Sequence, residues 1–513
     1  MSASPTRAPP HVVMIVDNDV VIDSRVRKEA ASLADAGYRV TVVGLAVDGL
    51  PLEERLGAAL VLRVDVPRRI LEATWDRRVR RRQRRIPLVG YRSKAAYDAD
   101  RLRILARRRD IEAERGLAIV RREAGRATGL GVRLGAFSRA ARLAGLHATE
   151  VAVRGRGVIR HRMNRAAFRM WQWWDGFLAR RDTGARWRRV TPGLDDFEIA
   201  YGPVIDRLEA DVVHAQDVFS IGVAARAAAR ARLAGRTVPL VYDAHEFVAG
   251  LARHAGRTPR YAAALEDLER EYIGDADLVF TVGPAVAEEI ATYFGLRRSP
   301  TVVLNTPRLR AARRRGPTLR QAVGLDDKTP VLVYSGGLKL VRGVDVVISS
   351  LDHLPGVHLA IVCVPSSRSA IVGELRAQAE RQGVAERIHF LDPVPSEEVV
   401  AFLATADVGV QPMLGGIRNH ELALPNKLFE YVHAGLPMVV TDLQELGAFV
   451  RQHGLGETFS SGNPVDLAAS ARKVLANPAP YRLAAADPVL RAAYSWERQA
   501  QVLIRAYDSL TRR

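Results

Sequence analysis

Cysteine is almost absent from this chain, Cys363 being the only one. That excludes a disulfide framework and any metal site built from thiolates alone. No apolar run approaches the roughly 18 residues needed to cross a bilayer. The opening MSASPTRAPP lacks the apolar core of a secretory signal, so a cytoplasmic product is expected. Two nucleotide-binding signatures are missing as well. There is no G-x-x-x-x-G-K-[ST] loop, and no G-x-G-x-x-G follows the first apolar run. With 48% apolar and 26% charged residues in 513, neither general disorder nor a fibrous repeat fits. The length predicts two domains plus an extension.

Excess positive charge is confined to one place. The formal net charge is +19, yet residues 68–189 hold 34 Lys/Arg against 11 Asp/Glu, and the remainder holds 42 against 46. A uniformly basic nucleic-acid enzyme is therefore disfavoured, and no folded nucleic-acid-binding motif is present. The segment contains RRVRRRQRR (77–85), RWRR (186–189) and five of the six tryptophans: Trp75, Trp171, Trp173, Trp174 and Trp187. On a helix through 163–180, Met163, Ala167, Met170, Trp171, Trp174 and Leu178 share one stripe, flanked by Arg162, Arg165 and Arg169. A basic helix with interfacial aromatics suits an anionic membrane surface. A helical subdomain packed on the enzyme body is the plain alternative.

Outside that segment the pattern alternates between buried strand and amphipathic helix. HVVMIVD (11–17) reads as a buried parallel strand. A helix follows with Val26, Ala30, Leu33 and Ala34 inward, Gly37 closes it, and 39–43 is the next strand. Further strands are expected at 212–214, 240–242, 278–282 and 302–304, then at 331–334, 358–364, 387–390, 408–410 and 438–440. The expected class is α/β, with two tandem doubly wound Rossmann-like domains and a basic, mainly helical insertion in the first. The domains run 11–306 (insertion 68–195) and 329–480, joined by a linker at 307–328. A C-terminal helical segment at 481–513 is expected to cross back to the first domain. Asp17-Asn18-Asp19 spells D-x-D, a spacing that can hold Mg²⁺. Residues 98–100 and 275–277 spell it too, so the pattern carries little weight, and no metal site is expected.

The most informative stretch is GGIRNHELALPNKLFEYVHAGLPMVVTD (415–442). Pro425 is placed at the first helical position and Gly435 past the last. A helix N-terminus with free N–H groups favours phosphate, and Asn426 and Lys427 stand at it. Glu430 lies one turn on, where a carboxylate could hold a ribose diol; a surface Lys/Glu pair is the bland reading. This stretch resembles the donor-binding helix of GT-B glycosyltransferases, specifically the family 4-like group 1 enzymes. Other pieces match that family in order: DSRVRKEAASLADAGYRVTVV (23–43), DVVHAQD (211–217), VYDAHEF (241–247), ADLVFTVG (276–283), VYSGGLKLVRG (333–343) and YSWERQAQVLIRAYDSL (494–510).

The resemblance implies that the second domain binds a nucleotide-diphosphate sugar, with UDP- or GDP- expected, and the first domain a glycan or glycolipid acceptor. By position, Glu430 resembles the ribose ligand, Arg342 the diphosphate cation and His245 the histidine lining the cleft near the transferred sugar. Gly336, Gly337, Lys339, Asn426 and Lys427 complete the implied donor site, with His245, Arg342 and Lys427 as the catalytic set. Asp23, Arg25, Asp217 and Glu246 are the acceptor-side candidates. The general base stays open among Asp217, Glu246 and His245. The family's retaining, metal-independent transfer is implied, with no cofactor beyond the donor. Two departures stand out: an expected acid at 422 is Leu422, with Glu421 one place off, and Gly336-Gly337 replaces a Gly-Arg. A non-catalytic GT-B scaffold presenting the basic arm to membrane or RNA is the rival reading.

Overall fold

The computed structural model describes residues 8–67, 70, 94–123, 130–181, 186–252, 258–310 and 315–511. The chain divides into a body, Met1–Leu71 with Gly184–Arg513, and a separate unit, Glu72–Thr183.

The first half of the body is built on β1 (His11–Ile15), β2 (Arg39–Leu45), β3 (Glu53–Leu56), β4 (Ala59–Val64), β5 (Val212–Gln216), β6 (Leu240–Ala244), β7 (Leu278–Thr281) and β8 (Thr301–Val302). They lie in the order β3-β4-β2-β1-β5-β6-β7-β8, every neighbouring pair parallel except β3 with β4. All residues of β1, β5 and β6 are buried, because helices cover both faces. The second half carries β9 (Val331–Gly337), β10 (His358–Val364), β11 (Ile388–Leu391), β12 (Val408–Gln411), β13 (Met438–Thr441) and β14 (Gly456–Phe459). Their order is β11-β10-β9-β12-β13-β14, and all pairs are parallel. This is the two-domain Rossmann-like architecture of the GT-B fold.

Each sheet reverses direction once, between β1 and β5 and between β9 and β12. Such reversals open a crevice beyond the strands' carboxyl ends. They bring Asp217 near Asp17 in the loop after β1, and Val341–Gly343 beside Pro412–Leu414. The last helix, Trp496–Thr511, packs on Ser24–Asp35 of the first half. Trp496 donates its indole N–H to Ser32 at 2.9 Å, and Tyr38 donates to Asp508 at 2.9 Å.

Two features escape the sequence pattern. The β3–β4 hairpin is missed because EERL shows no apolar alternation, and β14 because GETF offers one large apolar residue. Pro425 also sits one place earlier than expected, as the residue preceding the Asn426–Ala434 helix.

Among its described residues, the unit Glu72–Thr183 contains the helices Lys94–Glu123 and Leu130–Arg181, packed through Ile104, Leu146 and Val153 with Tyr97 against them. Arg108 pairs with Glu150 at 2.8 Å, and Arg142 pairs with Glu114. Phe137 is 76% and Trp173 67% exposed, the latter stacked on Phe177. The expected stripe side chains Met163, Ala167, Met170, Trp171, Trp174 and Leu178 lie outside the described residues, as do Trp75 and 77–85.

The RWRR end requires a correction. It belongs to the body, and the helical unit stops at Thr183 rather than near 195. Trp187 is 1% exposed and donates its indole N–H to Glu271 at 2.7 Å, with the Arg188 guanidinium 4.3 Å over its ring. Arg188 also grips Glu271 through two bonds of 2.6 Å. That fork holds the Glu271 carboxyl down to about 2. The aromatic–basic composition here closes a core instead of facing a membrane.

Candidate functional site

On the second half, the site is built from the ends of β9 and β12 and the start of Asn426–Ala434. Gly336 takes φ +147°, and a Cβ there would lie 3.0 Å from Lys427 Cε. Glycine thus lets the lysine stem lie across the strand end. Arg342 closes a 3-10 turn at Leu340–Arg342, with Nη1 3.6 Å from Met413 Sδ. Gly343 follows with φ +70°, and a Cβ would stand 2.0 Å from the Pro412 carbonyl oxygen. The R-G pair is therefore a steric requirement for bringing the two loops together, as well as a carrier of charge. Lys339 is exposed.

The Asn426–Ala434 helix starts without a side-chain cap, so its first N–H groups and dipole are not neutralised by a capping side chain. Lys427 Nζ lies 3.4 Å from Glu430 Oε1, the side chains being 21% and 15% exposed. Glu430 Oε2 is buried and accepts no hydrogen bond. A buried carboxylate oxygen without a donor costs roughly 1–3 kcal/mol or more, which a ligand hydroxyl would recover. Behind this pair sits Lys28 of the 23–43 stretch, close enough to feel the Glu430 charge. It donates to Asn305 Oδ1 at 2.7 Å and to the Thr306 carbonyl at 2.6 Å, and lies 4.6 Å over the Trp496 ring. Burial, then Arg25, pushes its amine down to about 7 against the pull of Glu430.

Glu421 does not take the place of the missing acid. Its two oxygens accept the backbone N–H groups of Gly416 at 3.1 Å and Gln444 at 3.2 Å. Leu422 is 1% exposed and packs in the first half's core with Phe247, Val248 and Val286.

On the first half, the register sets Gln216 beside Asp243. Asp217 and His245 therefore emerge close together. Asp217 has φ +64° and accepts the N–H of Val218 at 2.6 Å. An aspartate in the left-handed region is a mark of local strain. Burial lifts it to about 6, with His245 opposing and Glu246 assisting. His245 Nε2 lies 2.9 Å from Gln216 Oε1 and 3.5 Å from Asp243 Oδ2. Burial is the largest single influence and lowers its imidazole, but the charge and hydrogen bond of Asp243, with the Asp217 charge, together outweigh it and raise the ring to about 9. At neutral pH the ring is a cation.

Arg25 is not placed to meet a ligand. It is buried, grips Asp243 at 2.6 and 2.8 Å, and donates to the Val303 carbonyl at 2.6 Å. Its charge keeps Asp243 well below the usual carboxylate range despite burial. Glu29, His214 and Asp243 bring three ligand atoms within 4.8 Å of one another; Arg25 supplies the positive charge among them. Asp23 caps Ser24–Asp35, accepting from Val26 N–H, and also accepts from Asn18 at 2.9 Å.

The two halves meet at Arg418 and Asn419, two residues of the 415–442 stretch to which its pattern assigns no role. Asn419 Oδ1 accepts the Phe247 N–H at 2.9 Å, and its Nδ2 donates to Glu246 at 3.3 Å. Arg418 forks onto Glu289 at 3.2 and 2.5 Å. Asparagine has no periodic signature, so only the fold reveals it.

Comparison with known proteins agrees with this architecture. Residues 329–477 match the family described as Glycosyl transferases group 1, and residues 184–307 match Glycosyltransferase Family 4. Together these spans cover more than half of the chain. A D-inositol 3-phosphate glycosyltransferase of Xylanimonas cellulosilytica is 26% identical over 48% of this chain and 55% of its own length. A glycogen synthase of Mycobacterium tuberculosis is 28% identical over 58% of this chain and 68% of its own. The chain spans about half the length of the first curated relatives it matches. Among solved structures, a sucrose-phosphate synthase from Thermosynechococcus elongatus superposes with a TM-score of 0.62 at 13% identity, covering 98% of this chain and 99% of that one. The chain belongs to the GT-B glycosyltransferases of group 1.

Proposed function

We propose that this protein transfers a sugar from a nucleotide-diphosphate donor, UDP- or GDP-linked, to a glycan or lipid-linked acceptor, with retention of anomeric configuration. The observation that carries the reading is Glu430: a buried carboxylate oxygen without a donor, beside Lys427, at a helix start that no side chain caps. A ribose hydroxyl satisfies the oxygen, while the helix N-terminus and Lys427 suit the adjoining diphosphate. The group 1 membership and relatives named for glycosyl transfer support the same class of reaction.

Breaking the sugar–diphosphate bond loads negative charge on the leaving group and positive charge on the anomeric carbon. Arg342, Lys427 and Lys339 are the cations assigned to the leaving group, and no metal is required in this scheme. Each preorganised donor of this kind can be worth about 3–4 kcal/mol when desolvated. The His245 imidazolium lies on the acceptor-side wall, held charged by Asp243. It can donate to an oxygen that gains charge as the bond breaks. Asp217, lifted to about 6, and Glu246 are the carboxylates available to receive the acceptor's proton. Departure and attack on one face of the sugar would preserve configuration without a protein nucleophile. The Asn419 and Arg418 contacts close the two halves, which excludes water and limits donor hydrolysis.

The helical unit is assigned to an anionic membrane surface on the cytoplasmic face, which would bring the enzyme to lipid-linked acceptors. Among the described residues of that unit, Trp173 and Phe137 are exposed aromatics, and each cation near such a leaflet adds about 1 kcal/mol. No helix among the described residues is long and apolar enough to cross a membrane, so attachment would be peripheral.

A thermal-shift screen of UDP-, GDP- and ADP-sugars, followed by transfer assays in excess chelator, tests the proposal. One donor class should stabilise the protein, and transfer should persist without free metal. No stabilisation by any donor would favour a non-catalytic scaffold, and strict Mg²⁺ dependence would remove the metal-free scheme. Flotation with anionic and neutral liposomes tests the membrane assignment; equal, negligible binding to both would overturn it.

A further inference from the structure

Behind His245 runs a buried chain of hydrogen bonds that the proposed chemistry leaves unused. Gln216, the last residue of β5, is fully buried. Its Nε2 lies 2.8 Å from Glu29 Oε2 and 3.3 Å from His214 Nε2, and its Oε1 lies 2.9 Å from His245 Nε2. His214 is also fully buried, with Nδ1 2.8 Å from the Tyr507 hydroxyl. Tyr507 belongs to Trp496–Thr511, so the chain begins on the last helix and ends at the crevice.

Donor and acceptor accounting assigns the protons. An amide nitrogen offers two N–H groups and its oxygen only lone pairs. The Glu29 carboxyl oxygen and His214 Nε2 are the two acceptors that Gln216 Nε2 needs. His214 then carries its proton on Nδ1 and donates it to Tyr507. Burial pushes His214 down to about 3, which keeps the ring neutral as this arrangement demands. With the nitrogen committed, Gln216 Oε1 must face His245 and accept from Nε2–H. A flipped amide would set N–H against the N–H of the charged His245 ring, which has no lone pair to accept it. The titratable and charged groups around His245 are Asp243 near the end of β6, Arg25 behind it, Asp217 at the head of the Val218–Leu233 helix, Glu246 next in sequence, and Glu29 and His214 beyond Gln216. Among the described residues Nδ1 has no hydrogen-bond partner, so it is the nitrogen left for a ligand.

We propose that Gln216 is a positioning residue that holds the His245 ring with Nε2–H on its amide oxygen and Nδ1 presented to the substrate, and that Tyr507 ties the last helix into the same chain through His214. The kinetic part rests on the sugar-transfer reading; the proton assignment does not.

The test is ¹⁵N-histidine NMR on the free, full-length protein, paired with steady-state kinetics. Wild-type His245 should be protonated on Nε2 in its neutral form, and His214 on Nδ1. In Gln216→Leu the His245 midpoint should fall by about one pH unit, because an acceptor that favours the charged ring is gone. Its kcat should fall about tenfold with donor KM within about twofold, the pattern of a group acting in the transition state. Gln216→Glu keeps an acceptor for Nε2–H and should recover part of kcat and raise the midpoint. Tyr507→Phe preserves the ring packing and should shift the His214 proton toward Nε2, displacing the His245 signals. A wild-type His245 carrying its neutral-form proton on Nδ1 would overturn the proposal. So would unchanged His245 signals in Tyr507→Phe or in folded Gln216→Leu. Absence of any transfer by the wild type would defeat the sugar-transfer reading and leave the spectroscopic result standing.

Discussion

Asn419 of the second half accepts the backbone N–H of Phe247 at 2.9 Å and donates to Glu246 at 3.3 Å. One side chain from the second half thus fixes the loop that follows His245 in the first half. Asn419→Ala should lower kcat/KM about tenfold, since losing two hydrogen bonds across a closing crevice costs on the order of 1–2 kcal/mol. Donor affinity measured at equilibrium should change less than kcat. An unaltered kcat would show that the contact does not govern the productive state.

Gly343 and Gly337 make a paired test of steric demand. Gly343→Ala places a Cβ 2.0 Å from the Pro412 carbonyl oxygen at φ +70°, so it should cost about 2–4 kcal/mol in urea unfolding. Gly337→Ala meets nothing within 4 Å and should stay within about 1 kcal/mol of wild type. Equal stability of the two variants would contradict the close approach of the β9 and β12 loops.

The His245 charge has a thermodynamic signature. Its folded value is raised, from 6.5 to about 9, by Asp243 acting against burial. A raised group contributes stability that is fully present below pH 6.5 and is lost as pH rises through about 9. The wild-type advantage over His245→Gln should therefore be about 2–3 kcal/mol near pH 6 and fade by pH 10. Chemical denaturation of both proteins across that range reads it directly. A difference that grows with pH would mean that Asp243 does not hold the ring as a cation.

Two tryptophans from the basic segment should behave oppositely. Trp187→Phe loses the bond to Glu271 and should cost about 1 kcal/mol of stability, with no change in liposome partitioning. Trp173→Ala should leave stability nearly unchanged and weaken binding to anionic liposomes about threefold, as expected for an interfacial aromatic. Parallel loss of partitioning in both variants would return RWRR to the membrane-facing surface.

The strand–helix alternation was legible because parallel strands buried on both faces, such as VVMI and LVY, are continuous apolar runs. The hairpin β3–β4 was not, since its edge position leaves EERL half exposed. Lys427, Glu430 and Gly435 could be read from helix-boundary chemistry, while their pairing with Gly336 depends on a backbone angle that no pattern encodes. Trp187 was misread because composition cannot distinguish an indole facing lipid from one closed over by Arg188. Gln216, Asn419 and Lys28 gave no sequence signal of their own. Their partners lie far along the chain, and Gln216 meets Glu29 across 187 positions.

The central claim is that Glu430 and Lys427 hold a nucleotide-diphosphate sugar at the start of the Asn426–Ala434 helix. Calorimetric titration of the stabilising donor into wild type, Glu430→Gln and Lys427→Met measures it most directly. Both variants should bind at least about tenfold more weakly, because each loses a charge-assisted bond to the ligand. The free nucleoside should discriminate Glu430→Gln but not Lys427→Met, separating ribose from diphosphate contact. Wild-type affinity in both variants, with their folds intact, would contradict the account.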